Sequence, residues 1–116
     1  MRSHDRPSRF ELTSKVAQGW VEPHVKLIRD GARPNGPVVV DLDPTTFCDF
    51  ACPECISADV LGSTWFDNDR LLQLASEMVE IGVRAVVFIG GGEPLMHRST
   101  VQAIEILAEG DVRVGL

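Results

Sequence analysis

The sequence predicts an α/β fold in which a short helical leader precedes alternating strands and helices. Two short runs rich in β-branched and apolar residues, 38–42 and 85–89, indicate strands. Apolar residues recur at helical spacing after these runs, and a third strand pattern begins at Val112. The order is therefore βαβαβ, and crossovers of this length give parallel pairing with right-handed connections.

The leader and linker comprise residues 1–36, of which residues 1–9 are expected to be disordered. Two short helices are predicted, from Phe10 to Gln18 and from Glu22 to Gly31. Proline at position 23 suits a first helical turn, and glycine suits a helix end. Prolines and glycine in 32–37 indicate a linker to the core, residues 37–116.

The two core helices are predicted from capping residues and apolar periodicity. The residues at 67–68 and 99–100 are of capping types, and Gly82 and Gly110 end the helices. The run 85–89 is continuously apolar, which is typical of a strand buried on both faces. The inward-facing sets are Leu71, Leu74, Ala75, Met78 and Val79 in the first helix, and Val101, Ile104, Leu107 and Ala108 in the second.

Composition excludes several classes of protein. The net charge is −6, and residues 37–116 hold four basic and thirteen acidic residues, which disfavours nucleic acid as a partner. No apolar run is long enough to span a membrane, and no signal peptide is present, so a cytoplasmic location is expected. Because three parallel strands cannot close a barrel, we expect a fragment of a longer protein or a partial barrel that needs a partner.

All three cysteines fall in one stretch, Cys48, Cys52 and Cys55, at CxxxCxxC spacing. Thiolates are soft donors suited to zinc or to iron–sulfur clusters. Structural zinc sites and cuboidal clusters normally take four protein ligands, so three cysteines would leave one position open. Two alternatives are a zinc site with His97 or Asp49 as fourth ligand, and three small buried residues without a metal.

A glycine-rich turn, Gly91-Gly92-Glu93-Pro94, follows the second strand directly. Glycines let a ligand approach the backbone, and backbone carbonyls together with the Glu93 carboxylate can accept hydrogen bonds from an ammonium group. The alternative is a tight strand-to-helix turn with a surface glutamate. Since the carboxyl ends of parallel strands carry the sites of α/β folds, the turn and the cysteine loop are expected at the same edge.

Three further polar residues are weighed near this edge. Asp41 and Asp43 alternate with the apolar residues of the first strand, which would direct both toward a barrel interior. For Asp43 we favour a cap of the turn that follows it. For His97 we favour a surface position at the entry to the last helix over a role as proton donor or ligand.

The cysteine motif (CDFACPEC, residues 48–55) and the turn that follows one helix later (GGEPL, residues 91–95) together resemble the radical S-adenosylmethionine (radical SAM) superfamily. The resemblance covers residues 37–116 and implies the N-terminal part of a TIM-type barrel. The leader is similar to that of some peptide-modifying members. One departure is Glu54, where the family often has an aromatic residue near the adenine; backbone or Ile56 would supply that contact instead.

The resemblance implies that Cys48, Cys52 and Cys55 bind three irons of a 4Fe–4S cluster, and that SAM chelates the fourth. Gly91, Gly92 and Glu93 would hold the SAM amino group. It further implies reductive cleavage of SAM to a 5′-deoxyadenosyl radical that abstracts hydrogen from a small-molecule or peptide substrate. The implied electron donor is a protein such as flavodoxin or ferredoxin. No side chain is assigned as catalytic, and the alternative function is a non-catalytic zinc or iron–sulfur module for binding or electron transfer.

Overall fold

The computed structural model describes residues 18–32 and 36–116. Backbone contacts divide the chain into two units, Met1–Pro34 and Asn35–Leu116. In the first unit, helix α1 spans Glu22–Arg29 and is followed by Gly31 at φ +78°, as predicted. The predicted disorder of residues 1–9 and most of the predicted helix from Phe10 lie outside the described residues.

The second unit is a three-stranded parallel sheet with two helices, which confirms the α/β class. The sheet order is β1–β2–β3, with β1 at Val39–Leu42, β2 at Ala85–Phe88 and β3 at Arg113–Gly115. Helix α2 spans Asn68–Glu80, helix α3 spans Thr100–Glu109, and a 3-10 turn spans Pro94–Met96. The extension of this sheet to a TIM-type barrel stays a prediction.

One face of the sheet forms the core. Val40 and Leu42 of β1 and Val86 and Phe88 of β2 pack against the helices, so alternate strand residues face the same layer. The helices contribute Leu71, Ala75, Met78, Ala103 and Leu107 to this cluster.

Two predictions about burial are wrong. The run 85–89 was expected to be covered on both faces, yet Val87 is only half-buried and Ile89 is 46% exposed. In α3, Val101 was expected to face inward and is 58% exposed, and Ala108 is exposed as well. Leu107 is buried and Ile104 packs against the core, as predicted, while Thr100 and Ala103 are buried inward positions that were not predicted.

Candidate functional site

The long connection between β1 and α2, residues 43–67, is closed at its base. Its two ends pair through an antiparallel bridge between Thr45 and Trp65. The Thr46 N–H donates to the Thr64 carbonyl at 3.0 Å, and the Phe66 N–H donates to the Pro44 carbonyl at 3.0 Å. We call residues 43–67 the cysteine loop, because all three cysteines lie beyond this closure and stay anchored to the end of β1.

The three thiols are free and accessible. Cys52 is exposed, while Cys48 and Cys55 are half-buried, so the alternative of three buried structural residues is wrong. The Phe50 N–H contacts Cys48 Sγ at 3.4 Å, a backbone donor of the kind that surrounds metal thiolates.

The three thiols of this loop are suitable ligands for an iron–sulfur cluster, although their sulfur atoms do not lie close together. Within the described ranges, no group of three Cys, His, Asp or Glu side chains is close enough together to hold a metal ion. Three unpaired soft donors on one accessible loop nevertheless match the ligand set that iron–sulfur clusters require. Cluster binding would therefore require the loop to draw its sulfurs together.

The glycine turn, residues 90–93, packs backbone against backbone on the base of the cysteine loop. The Gly92 N–H donates to the Thr45 carbonyl at 3.1 Å, and the Glu93 N–H donates to the Phe47 carbonyl at 2.9 Å. A Cβ added at Gly92 would overlap the backbone of Phe47, so this close approach requires glycine. The predicted meeting of the two motifs at one edge of the sheet is confirmed.

The same hydrogen bonds determine which backbone polar groups of the turn can still contact a ligand. The Gly91 N–H donates to Asp43 Oδ2 at 2.7 Å, so all three N–H groups of residues 91–93 are directed at the cysteine loop. In a trans peptide the preceding carbonyl points the opposite way. The carbonyl oxygens of residues 90–92 accept no hydrogen bond from the described residues. The turn therefore offers acceptors, which suits an ammonium group and not a phosphate.

Glu93 stands between the turn and an open groove. Its Oε1 accepts the Leu95 N–H at 3.1 Å and so caps the 3-10 turn. The groove has a volume of about 310 Å³ and is lined by Asp49, Phe50, Glu93, Leu95 and Met96. Because Asp49 and Phe50 lie between Cys48 and Cys52, the glutamate and the cysteine loop border the same cavity.

His97 is buried, which corrects the expectation of a surface residue. Its ring stacks on Trp65 at a centroid distance of 4.5 Å. The Ser99 N–H donates to Nδ1 at 3.2 Å, so Nδ1 is unprotonated, and Nε2 then donates to the Phe66 carbonyl at 2.7 Å. Both ring nitrogens are hydrogen-bonded in this arrangement, so His97 is excluded as the fourth ligand of a zinc site. Asp49 is the remaining candidate for that fourth position.

Asp43 caps its turn as predicted, since Oδ1 accepts the Thr45 N–H at 3.2 Å. Its second bond, to Gly91 across the sheet edge, was not predicted. The parallel register could have indicated it, because Leu42 pairs with Phe88 and the residues that follow both strands must meet. Glu54 is exposed, and Ile56 is fully exposed, so no described residue packs on the Ile56 side chain.

The fold and the site together define an α/β protein with a cysteine loop after one parallel strand and an acceptor-lined glycine turn after the next. A family model described as the Radical SAM superfamily matches residues 42–116, which include β1 from its last residue, both motifs and β3. The chain belongs to the radical SAM superfamily. No curated protein and no solved structure matches it significantly. Among the helices of the described residues, none has the length and apolar character to cross a membrane.

Proposed function

We propose that this chain binds a 4Fe–4S cluster through Cys48, Cys52 and Cys55 and binds SAM beside it, as part of a radical SAM enzyme. The observation that carries the proposal is the hydrogen-bonded junction between the cysteine loop and the glycine turn. It holds the cysteine loop, with its three soft donors, against the acceptor-lined turn at the carboxyl edge of the sheet, where Asp49 and Phe50 of the loop and Glu93 of the turn border one groove. Family membership supports the same assignment.

Cys48, Cys52 and Cys55 would hold the cluster, and one-electron reduction of the bound cluster would supply the chemistry that splits SAM into methionine and a 5′-deoxyadenosyl radical for hydrogen abstraction. The acceptors of residues 90–93 orient the SAM amino group. Glu93 contributes the one carboxylate of that turn, which favours a cationic group beside it. The proposed partners are a flavodoxin- or ferredoxin-type electron donor and a small-molecule or peptide substrate.

The adenine contact is proposed to come from backbone or from Ile56. Glu54 occupies the position where the family often carries an aromatic residue. Ile56 is fully exposed and therefore available to a ligand. An apolar side chain can cover one face of a base without a hydrogen bond.

Anaerobic reconstitution with iron and sulfide tests the metal assignment. We expect close to one 4Fe–4S cluster per chain, with the visible absorption of iron–sulfur charge transfer. Cys52→Ala should lose it, because two thiolates remain of the only soft donor set in this loop. Ser57→Ala, in the same loop, serves as the matched control and should retain the cluster.

A triple variant with all three cysteines changed to alanine provides the experiment that could contradict the metal assignment. If it holds iron and sulfide as well as the wild type, the assignment is wrong. A wild-type protein that stays colourless and binds zinc in stoichiometric amount would favour the zinc-binding module instead.

A further inference from the structure

We propose that Asp43 is a positioning residue for SAM: its carboxylate ties the glycine turn to the cysteine loop and thereby aims the acceptors that receive the SAM amino group. This inference rests on the proposed function. It concerns a residue outside both motifs, which acts through Gly91.

The carboxylate joins two segments that are distant in sequence. Oδ2 accepts the Gly91 N–H at 2.7 Å, and Oδ1 accepts the Thr45 N–H at 3.2 Å. One oxygen therefore serves the glycine turn and the other serves the base of the cysteine loop. Of the three N–H bonds that hold the turn this one is the shortest, and it is the one whose acceptor is a carboxylate.

The bond to Gly91 fixes a particular peptide plane. The Gly91 N–H belongs to the peptide whose carbonyl is that of Gly90, and in a trans peptide the two groups point in opposite directions. By holding the N–H toward β1, Asp43 directs the Gly90 carbonyl away from it. The bonds from Gly92 and Glu93 do the same for the next two carbonyls, but their acceptors are neutral backbone groups.

At this junction Gly90 and Gly91 lie directly against side chains of the cysteine loop. A Cβ added at Gly90 would overlap the carboxylate of Asp43, and one at Gly91 would lie 3.2 Å from Thr46 Cγ2. The glycines and the aspartate are thus matched in shape. Loss of the carboxylate would release the Gly91 N–H, and with it the orientation of the Gly90 carbonyl.

The test compares the wild type with Asp43→Ala, which removes both bonds, and Asp43→Asn, which keeps the side-chain shape but places an amide donor against one N–H. Asp59→Asn, an exposed residue of the same loop, is the control for the charge change. Two quantities are measured: hydrogen exchange of the Gly91 amide in the protein without cofactors, and SAM affinity of the cluster-loaded protein at equal cluster content.

We expect both Asp43 variants to lose protection at Gly91 and to bind SAM about tenfold more weakly, with Asp43→Asn the milder, while Asp59→Asn matches the wild type. A residue with only a structural role would lower stability and leave SAM affinity unchanged. If Asp43→Ala fails to fold, the Gly91 exchange and the SAM affinity of Asp43→Asn test the inference.

Equal SAM affinity for wild type and both Asp43 variants, at equal cluster content, would overturn this inference and leave the proposed function standing. A cluster-loaded wild type that does not bind SAM would overturn both. The two failures are therefore distinguishable from the wild-type titration alone.

Discussion

At the scale of single residues, Glu93 combines two tasks that one substitution can separate. Its Oε1 accepts the Leu95 N–H, which caps the 3-10 turn, and its carboxylate borders the groove shared with Asp49. Glutamine keeps an oxygen for the cap and removes the charge. The change therefore leaves the turn in place while it weakens an interaction with a cationic group.

We expect Glu93→Gln to lower SAM affinity about ten- to a hundredfold, because a hydrogen bond to a charged group contributes roughly 1.5–3 kcal/mol. Cluster content should not change, since the side chain is not among the proposed iron ligands. A SAM titration of the cluster-loaded protein measures the effect, with Glu80→Gln, an exposed residue of α2, as a control for the same charge change. Equal affinities would leave Glu93 with its capping role only, and loss of the cluster would indicate a role in folding.

The meeting of the two motifs at one edge of the sheet was predictable, whereas the roles of their residues stay predictions. CxxxCxxC and the glycine turn are short motifs, and parallel pairing alone brings them to one edge. His97 was not predictable in this way. Its burial depends on Trp65 and Phe66, more than thirty residues earlier in the chain, and no periodic pattern around position 97 signals that contact.

At the scale of helices and strands, boundaries set by local geometry were predicted well. Asp67 accepts the Arg70 N–H at 2.9 Å and caps α2, and Gly82 follows that helix at φ +81°. Burial was predicted less well. An apolar run such as 85–89 suits a doubly covered strand, but coverage depends on what packs over the sheet and not on the run itself.

Gly110 ends α3 for a reason other than the one its sequence suggests. Its φ is −82°, which any residue can adopt, and the left-handed position is the next residue, Asp111, at φ +60°. A Cβ added at Gly110 would lie 2.5 Å from both methyl groups of Val79 in α2. The glycine is therefore required by the close approach of the two helices.

We expect Gly110→Ala to lower the free energy of unfolding by about 1–3 kcal/mol, the usual cost of overpacking. Valine is stiff about χ1, so Val79 cannot turn away without disturbing α2. In a Val79→Ala background the same change should cost much less, which a double-mutant cycle by urea unfolding measures. Additive losses would show that the two side chains do not meet. Asp111→Gly serves as the control and should be neutral or slightly stabilising, since glycine tolerates positive φ.

At the scale of the whole molecule, residues 36–116 cover one face of the parallel sheet and leave the other face open. On the open face, Val39 is 47% exposed and Ile89 is 46% exposed, and Asp41, two residues after Val39 in β1, is exposed on the same face. Parallel sheets are ordinarily covered on both sides. This is the face that would form the interior of the predicted barrel, and its coverage could not be predicted from local sequence pattern.

A pair of isosteric substitutions measures how open this face is. Val86 is fully buried, so Val86→Thr places a hydroxyl in the core and should cost about 1–3 kcal/mol. Val39→Thr makes the same chemical change on the open face, where water can solvate the hydroxyl, and should cost no more than about 0.5 kcal/mol. Urea unfolding of both variants gives the comparison. Similar losses at the two positions would show that the open face is covered in solution, and a concentration dependence of the Val39→Thr loss would identify the cover as a second copy of the chain.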